Sequence, residues 1–212
     1  MVRRWNQWKN PWDREYAKRG RLWRGTASIE PLPSVATPPG PLLEIGCGDG
    51  KFLRAVAAAG YDTLGVDSSR YALRFAADGM RARCLQGDAR ALPFRDGAFP
   101  IVVARYMIGA LLDKPRRQAA QELARVTRRR GVLLVEDFGV EDFRFGNGRE
   151  VEASTFERNE GILTHYFAEG EHAGLFGAAV EIVETAILRK VQRVGAKQEP
   201  RVARRSVFRR KG

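Results

Sequence analysis

Leu42-Leu43-Glu44-Ile45-Gly46-Cys47-Gly48-Asp49-Gly50-Lys51-Phe52-Leu53 decides how the rest of this 212-residue chain is read. Pro41 marks where an extended segment can begin, and Leu42, Leu43 and Ile45 make that segment apolar. Gly46, Gly48 and Gly50 then alternate with other residues, and a helix is expected from Lys51 to Ala59. Glycine tolerates positive φ and lets a ligand come close to the backbone. A helix start offers N–H groups without partners. A strand, a glycine turn and a helix N-terminus in succession form the place where ligands sit in an open α/β sheet. The spacing is Gly-x-Gly-x-Gly, which is neither the dinucleotide fingerprint nor a P-loop.

Three carboxylates add to the turn. Glu44 stands two residues before Gly46. The apolar run Thr63-Leu64-Gly65-Val66 ends in Asp67, 17 residues after Gly50. A carboxylate at a strand end there can accept both hydroxyls of a ribose. A third run, Ala82-Arg83-Cys84-Leu85-Gln86-Gly87, ends in Asp88, where a carboxylate can take the exocyclic amine of an adenine.

Glu44-Ile45-Gly46-Cys47-Gly48-Asp49-Gly50, then Gly65-Val66-Asp67, then Gly87-Asp88-Ala89 with Leu92-Pro93-Phe94, resembles the class I S-adenosylmethionine-dependent methyltransferases over roughly residues 40 to 138. The resemblance implies an α/β fold: a Rossmann-like, seven-stranded, mostly parallel sheet with an antiparallel last strand and helices on both faces. It implies S-adenosylmethionine as cofactor, cradled by Glu44, Gly46, Cys47, Gly48, Gly50, Asp67, Ser68, Asp88, Ala89 and Arg105. An N-terminal segment covers the cofactor in similar methyltransferases, so Arg24 is expected at the methionine carboxylate. Family members commonly carry Asp where this chain has Pro100, so the start of the fourth strand departs from the pattern.

Length suits one domain with a real core. Residues 41–212 are read as that domain, ending in a basic hairpin. Residues 1–40 are read as a basic, aromatic segment followed by an extended connector holding Pro31, Pro33, Pro38 and Pro39. A signal-like start and a long apolar run are both missing from the sequence, so a cytoplasmic protein without membrane spans is expected. Cys47 and Cys84 are the only cysteines, one in the turn and one in a strand, which argues against a metal site and leaves two small buried hydrophobes.

Charge is uneven. Residues 1–25 hold eight Lys/Arg against two acids, a net of +6; residues 186–212 hold ten against one, a net of +9. The chain's +12 therefore leaves the middle at −3. Basic ends on a slightly acidic body attract polyanions, nucleic acid above all, although solvated tails have the same composition. All four tryptophans lie in residues 1–25, interleaved with cations over a helical stretch beginning at Trp12. Such a segment can stack on bases, or pack on the domain as a lid.

Along the rest of the chain, Ser68 and Ser69 are candidate N-caps of a helix to about Asp78. Ile101-Val102-Val103-Ala104 is a buried parallel strand, leading to Arg105 and Tyr106. Pro115 opens an amphipathic helix to Thr127. Arg128-Arg129-Arg130-Gly131 is a turn into the strand Val132–Val135. Residues 139–163 show no firm period and are expected as a substrate-side insertion or mobile flap. A helix is expected from about Glu169 to Gly177, then strands over Val180–Leu188 and Val202–Phe208 joined by a basic loop. If the first of these is parallel, the loop starts on the cofactor face.

Tyr166-Phe167, Leu175-Phe176, Arg189-Lys190 and Pro200-Arg201-Val202 with Phe208 and Arg210-Lys211 loosely resemble the tail of the tRNA 3-methylcytidine methyltransferases. That resemblance implies RNA, with tRNA favoured, as partner, and Lys190, Arg193, Lys197 and Arg201 as RNA contacts. Tyr106, Asp137 and Phe138 are the catalytic-site candidates, with none assigned as a base. His165 reads as a structural histidine. Methyl transfer from a sulfonium needs positioning more than acid–base help. Three readings follow: an RNA-base methyltransferase, a small-molecule methyltransferase, and a non-catalytic subunit that keeps the fold.

Overall fold

Apolar runs bounded by glycine and proline become strands here, and the stretches with helical spacing between them become helices. The computed structural model describes residues 10–22, 25, 27–30, 32, 40–77, 83–158 and 161–212. In chain order the elements are α1 (Pro11–Arg19), β1 (Leu42–Ile45), α2 (Lys51–Ala58), β2 (Thr63–Asp67), α3 (Arg70–Ala77), β3 (Arg83–Gln86) and β4 (Phe99–Arg105). A short 3-10 turn, Ile108–Ala110, leads to α4 (Asp113–Val126) and β5 (Thr127–Phe138). Then come β6 (Arg149–Glu152), β7 (Thr155–Arg158), β8 (Ile162–His165), α5 (Glu171–Phe176), β9 (Val180–Val194) and β10 (Lys197–Arg210).

Seven strands form one sheet in the order β3-β2-β1-β4-β5-β10-β9. β1 to β5 pair in parallel, and β10 is antiparallel to both β5 and β9. β9 therefore runs in the direction of the parallel strands, and its basic end reaches the same edge as the glycine turn. The expected seven-stranded architecture with an antiparallel last strand is what the chain adopts.

Period-2 alternation fills both faces. Leu43, Ile45, Val102, Ala104, Leu133 and Val135 join one apolar cluster with Ala120 and Leu123 of α4 and Phe176 of α5. Leu42, Ile101, Val103, Val132 and Leu134 join the other with Phe52 and Val56 of α2 and Leu32. Burying a Leu or Val fully is worth about 1.5–3 kcal/mol, so the register of β1, β4 and β5 is set by two cores at once.

Several expectations need correction. Residues 139–163 carry regular structure that no period in the sequence announced: Arg149–Glu152, Thr155–Arg158 and Ile162–His165 form a three-stranded antiparallel sheet, β6-β7-β8, and Gly161 and Leu163 reach the cavity described below. The sheet is tied to α4, because Glu152 Oε2 accepts from the N-terminal N–H of Asp113 at 2.8 Å and Arg116 donates to Thr155 Oγ1 at 3.2 Å. The stretch after Leu188 is not a loop: β9 continues to Val194 and β10 begins at Lys197, so the basic residues lie on a paired hairpin. Arg128–Gly131 are part of β5 as a bulged segment. Phe99 pairs with Thr127 and Ile101 already with Val132, which leaves the four residues 128–131 opposite Pro100, with Arg130 at φ +60°. A proline cannot donate to a ladder, and a register shift is where strands tolerate it. α4 begins at Asp113, two residues before Pro115, which still lies in the first turn where its missing N–H is harmless. α5 is shorter than expected at both ends.

Candidate functional site

The carboxyl ends of β1, β2, β4 and β5 open into a cavity of 880 Å³, and the β9–β10 hairpin forms its far wall. The glycine turn makes the near wall. Gly46, Gly48 and Gly50 all have positive φ (+73°, +54° and +76°). At Gly46 the geometry also excludes a side chain, since a Cβ there would lie 2.4 Å from Met107 Cγ. At Gly65, a Cβ would lie 2.5 Å from Leu53 Cδ1 and 2.7 Å from Cys47 Sγ, so this glycine lets the turn and α2 settle onto β2.

Asp67 holds the turn together. Its Oδ2 accepts from Gly48 N at 2.8 Å and its Oδ1 from Ser69 N at 2.7 Å. Burial pushes its carboxyl up to about 6, against the two backbone hydrogen bonds. Ser69 caps α3, its Oγ accepting from Ala72 N at 3.2 Å, and donates to Asp13 Oδ1 at 2.7 Å. Asn10 Nδ2 donates to Ser68 Oγ at 3.1 Å, and Leu22 N donates to Asp49 Oδ2 at 3.0 Å. These bonds strap α1 over the cavity, where Trp12 and Tyr16 line the wall. The N-terminal segment therefore packs on the domain over residues 10–22.

Burial raises the Glu44 carboxyl well above the ordinary carboxylate range, although the charge of Arg105 opposes that shift. Among the described residues, Glu44 Oε2 has no hydrogen-bond partner. Burial would also raise Asp88, but hydrogen bonds from Arg90 outweigh it and hold the carboxyl low; Arg90 Nη2 lies 2.5 Å from Asp88 Oδ2.

At the ends of β4 and β5, Arg105 and Glu136 are register partners. Arg105 Nη2 donates to Glu136 Oε1 at 2.9 Å while the guanidinium lies 4.8 Å from the Phe52 ring centroid. Tyr106, at φ +55°, donates its hydroxyl to the same Oε1 at 2.5 Å and its ring packs 4.6 Å from Phe138. Burial, then the Glu136 charge, raises the Tyr106 hydroxyl above its usual range. Phe138 also carries the guanidiniums of Arg144 at 4.0 Å and Arg201 at 4.8 Å from its ring centroid. Asp142 holds both guanidiniums, accepting from Arg144 Nε and Arg201 Nε, each at 2.9 Å. Those hydrogen bonds outweigh burial and keep the Asp142 carboxyl low.

Of the residues singled out from the sequence, Glu44, Gly46, Cys47, Gly48, Asp67, Ser68, Asp88, Ala89 and Arg105 line the cavity. So do Tyr106, Phe138, Lys190 and Arg201. Gly50 lies behind the wall as the residue before α2. Asp137 turns away: it is buried, its Oδ1 accepts from Gly109 N at 3.1 Å, and burial raises its carboxyl well above the ordinary range. Arg193 and Lys197 sit further out on the hairpin, exposed. Arg24 lies outside the described residues. His165 is buried between Thr155 Oγ1 at 2.8 Å and Glu171 Oε1 at 2.7 Å, a structural position. Reading the sequence missed Glu136 and Asp142. A carboxylate closing an apolar strand was the available signal for Glu136.

Residues 43–135 match the family model described as methyltransferase domain. A SAM-dependent methyltransferase from Methanosarcina mazei has the same fold, with a TM-score of 0.74 and 22% identity over 87% of this chain and 99% of that one. The tRNA N(3)-methylcytidine methyltransferase Mettl2 of Drosophila melanogaster is 25% identical over 195 residues, 82% of this chain. The demethylmenaquinone methyltransferase of Beutenbergia cavernae is 33% identical over 122 residues, 56% of this chain. The chain spans 60% of the length of the Drosophila relative and 48% of the Beutenbergia one. Fold and cavity define an open α/β sheet with a ligand-sized cavity at the carboxyl ends of its strands. The chain's residues 43–135 match a methyltransferase domain, and the fold is one that a SAM-dependent methyltransferase also has. Among the described residues, no helix is long and apolar enough to cross a membrane.

Proposed function

We propose that this chain methylates a nucleobase of RNA, with tRNA the favoured substrate, using S-adenosylmethionine. The observation that carries the reading is a cavity with two walls of different chemistry. One wall is the glycine turn with its carboxylates. The other is the basic hairpin, where Lys190 and Arg201 are register partners at the mouth and Arg193 and Lys197 continue the positive stripe outward.

S-adenosylmethionine fits the first wall. Gly46 lets Met107 pack directly on the turn and leaves its backbone lining the cavity, and Glu44 Oε2, without a partner among the described residues, awaits a donor. Backbone groups from Gly46 to Gly48 would hold the methionine portion, Asp67 and Ser68 the ribose, and Asp88 with Ala89 the adenine. Asp67 keeps spare lone pairs for hydroxyl donors beyond its two backbone bonds. Bound there, the cofactor supplies a methyl group on a positively charged sulfur. The chain's own part is to orient the acceptor base against Tyr106 and Phe138 and to exclude water under α1.

Lys190, Arg193 and Lys197 supply the phosphate contacts in this reading, which makes binding salt-dependent. Arg201 works differently: it is tied to Asp142 and to Gln192 Oε1, the latter at 2.6 Å, and shapes the mouth from within. Transfer of labelled methyl to bulk tRNA, bulk ribosomal RNA and a small-molecule extract, run in parallel, tests the proposal. Label in tRNA supports it. Label confined to the small-molecule pool overturns it in favour of a small-molecule methyltransferase, the reading that the strapped cavity and the demethylmenaquinone relative also favour.

A further inference from the structure

Glu136 is 3% exposed, yet it forms part of the cavity wall. Everything around it fixes one half of its carboxylate. Oε1 accepts from Arg105 Nη2 and from the Tyr106 hydroxyl, and the peptide oxygen of Glu136 accepts from Tyr106 N at 2.6 Å. Tyr106 reaches this position with a left-handed backbone, a conformation that a tyrosine holds only when its surroundings impose it. Arg105 is pinned in turn against the Phe52 ring. The second oxygen, Oε2, has no hydrogen bond within the described residues, and because Glu136 lines the cavity that oxygen is left open to a donor from a ligand. Phe138 supplies a flat wall beside it. One oxygen clamped by two donors and one left over is the arrangement of a recognition group.

We propose that Glu136 Oε2 is the specificity-determining acceptor of the substrate: it takes a hydrogen bond from an N–H group adjacent to the atom that is methylated. This rests on the methyltransferase reading above and sharpens it to a heterocycle whose nucleophilic nitrogen neighbours an amine. A base with a carbonyl at that place would set two acceptors against each other and leave both unpaired. Arg105 already balances the carboxylate charge, so the donor need not be a cation. Methylation of such a ring nitrogen leaves positive charge shared with its amine, and a carboxylate facing that amine favours the charge.

Glu136→Gln separates this role from a structural one. The amide oxygen still accepts from Arg105 and Tyr106, while the cavity-facing atom becomes a donor. Full-length wild type and E136Q are given labelled S-adenosylmethionine and bulk tRNA, and the RNA is digested to nucleosides. The expected result is label in cytidine or adenosine for the wild type, with kcat/KM in E136Q lower by about tenfold or more. Cofactor affinity by calorimetry and the melting temperature stay essentially unchanged. Label in uridine, or in guanosine at N7, from the wild type overturns the proposal, as does a loss of cofactor affinity in E136Q that matches its loss of rate. If the small-molecule pool alone is labelled, the RNA reading falls by itself. The carboxylate assignment then stands if the labelled compound carries an N–H beside its methylated atom and falls if it does not. No label in any pool overturns the proposal together with the reading beneath it.

Discussion

The two walls of the cavity are built by opposite means. The β1–β2–β3 side uses backbone: glycines that admit no side chain, and one buried carboxylate, Asp67, wired to Gly48 N and Ser69 N. The β5–β10–β9 side uses long side chains, arginines stacked on Phe138 and a hairpin whose outer strand is exposed along most of its length. A wall of backbone can bind one shape and little else. A wall of guanidinium and lysine can be restyled without disturbing the sheet. The comparison teaches that cofactor and substrate selectivity should come apart under mutation.

The largest effect is expected at Gly46. Gly46→Ala forces a Cβ onto Met107 in a left-handed backbone, costing about 3 kcal/mol of stability with cofactor affinity lost in parallel. Thermal unfolding and calorimetry read both, and normal cofactor affinity in this variant breaks the distinction between the walls. Next, Asp67→Ala removes a charged acceptor and the tie to the turn, and cofactor affinity should fall about tenfold to a hundredfold. RNA retention on filters should not change; loss of both together would merge the two walls. Third, Lys190→Gln, Arg193→Gln and Lys197→Gln combined should weaken RNA retention and flatten its salt dependence by a slope of about 2, with cofactor affinity held. Equal retention by this variant and the wild type removes the hairpin from the phosphate path.

The smallest effect is a pH dependence. Burial puts the folded Asp67 carboxyl at about 6, above its ordinary 3.8. Below that pH it is protonated and a poorer acceptor. Cofactor affinity should therefore fall several-fold as pH drops from about 7.5 to 5.5, and Asp67→Asn should flatten the profile. A flat wild-type profile shows that Asp67 does not titrate in that window or does not hold the cofactor.

Much of the backbone wall was legible in the sequence because its constraints are local. Gly46, Asp67 and Asp88 each close an apolar run, and a run followed by a turn residue carries its meaning within a few positions. Ser69 could be read as a cap for the same reason. The side-chain wall was less legible because its meaning is made by pairing. Glu136 gains its role only when β4 and β5 bring Arg105 and Tyr106 beside it, some 30 residues away in sequence. Asp142 does so only when β10 delivers Arg201, 59 residues later. Strands β6, β7 and β8 are each four residues long and carry charge and glycine around them. None has a face long enough to show a period, and each exists because the others do.

The strap made by α1 is bonded to Ser68, Ser69 and Asp49, residues of the same two turns that form the backbone wall. Order in the strap and order in the cradle are thus one equilibrium seen from two ends, and coupling of that kind is reciprocal. A ligand that tightens the turns tightens the N-terminal segment, and whatever grips or releases that segment from outside adjusts how long the ligand stays. The segment from Asn10 to Leu22 is therefore a handle on residence time as well as a cover.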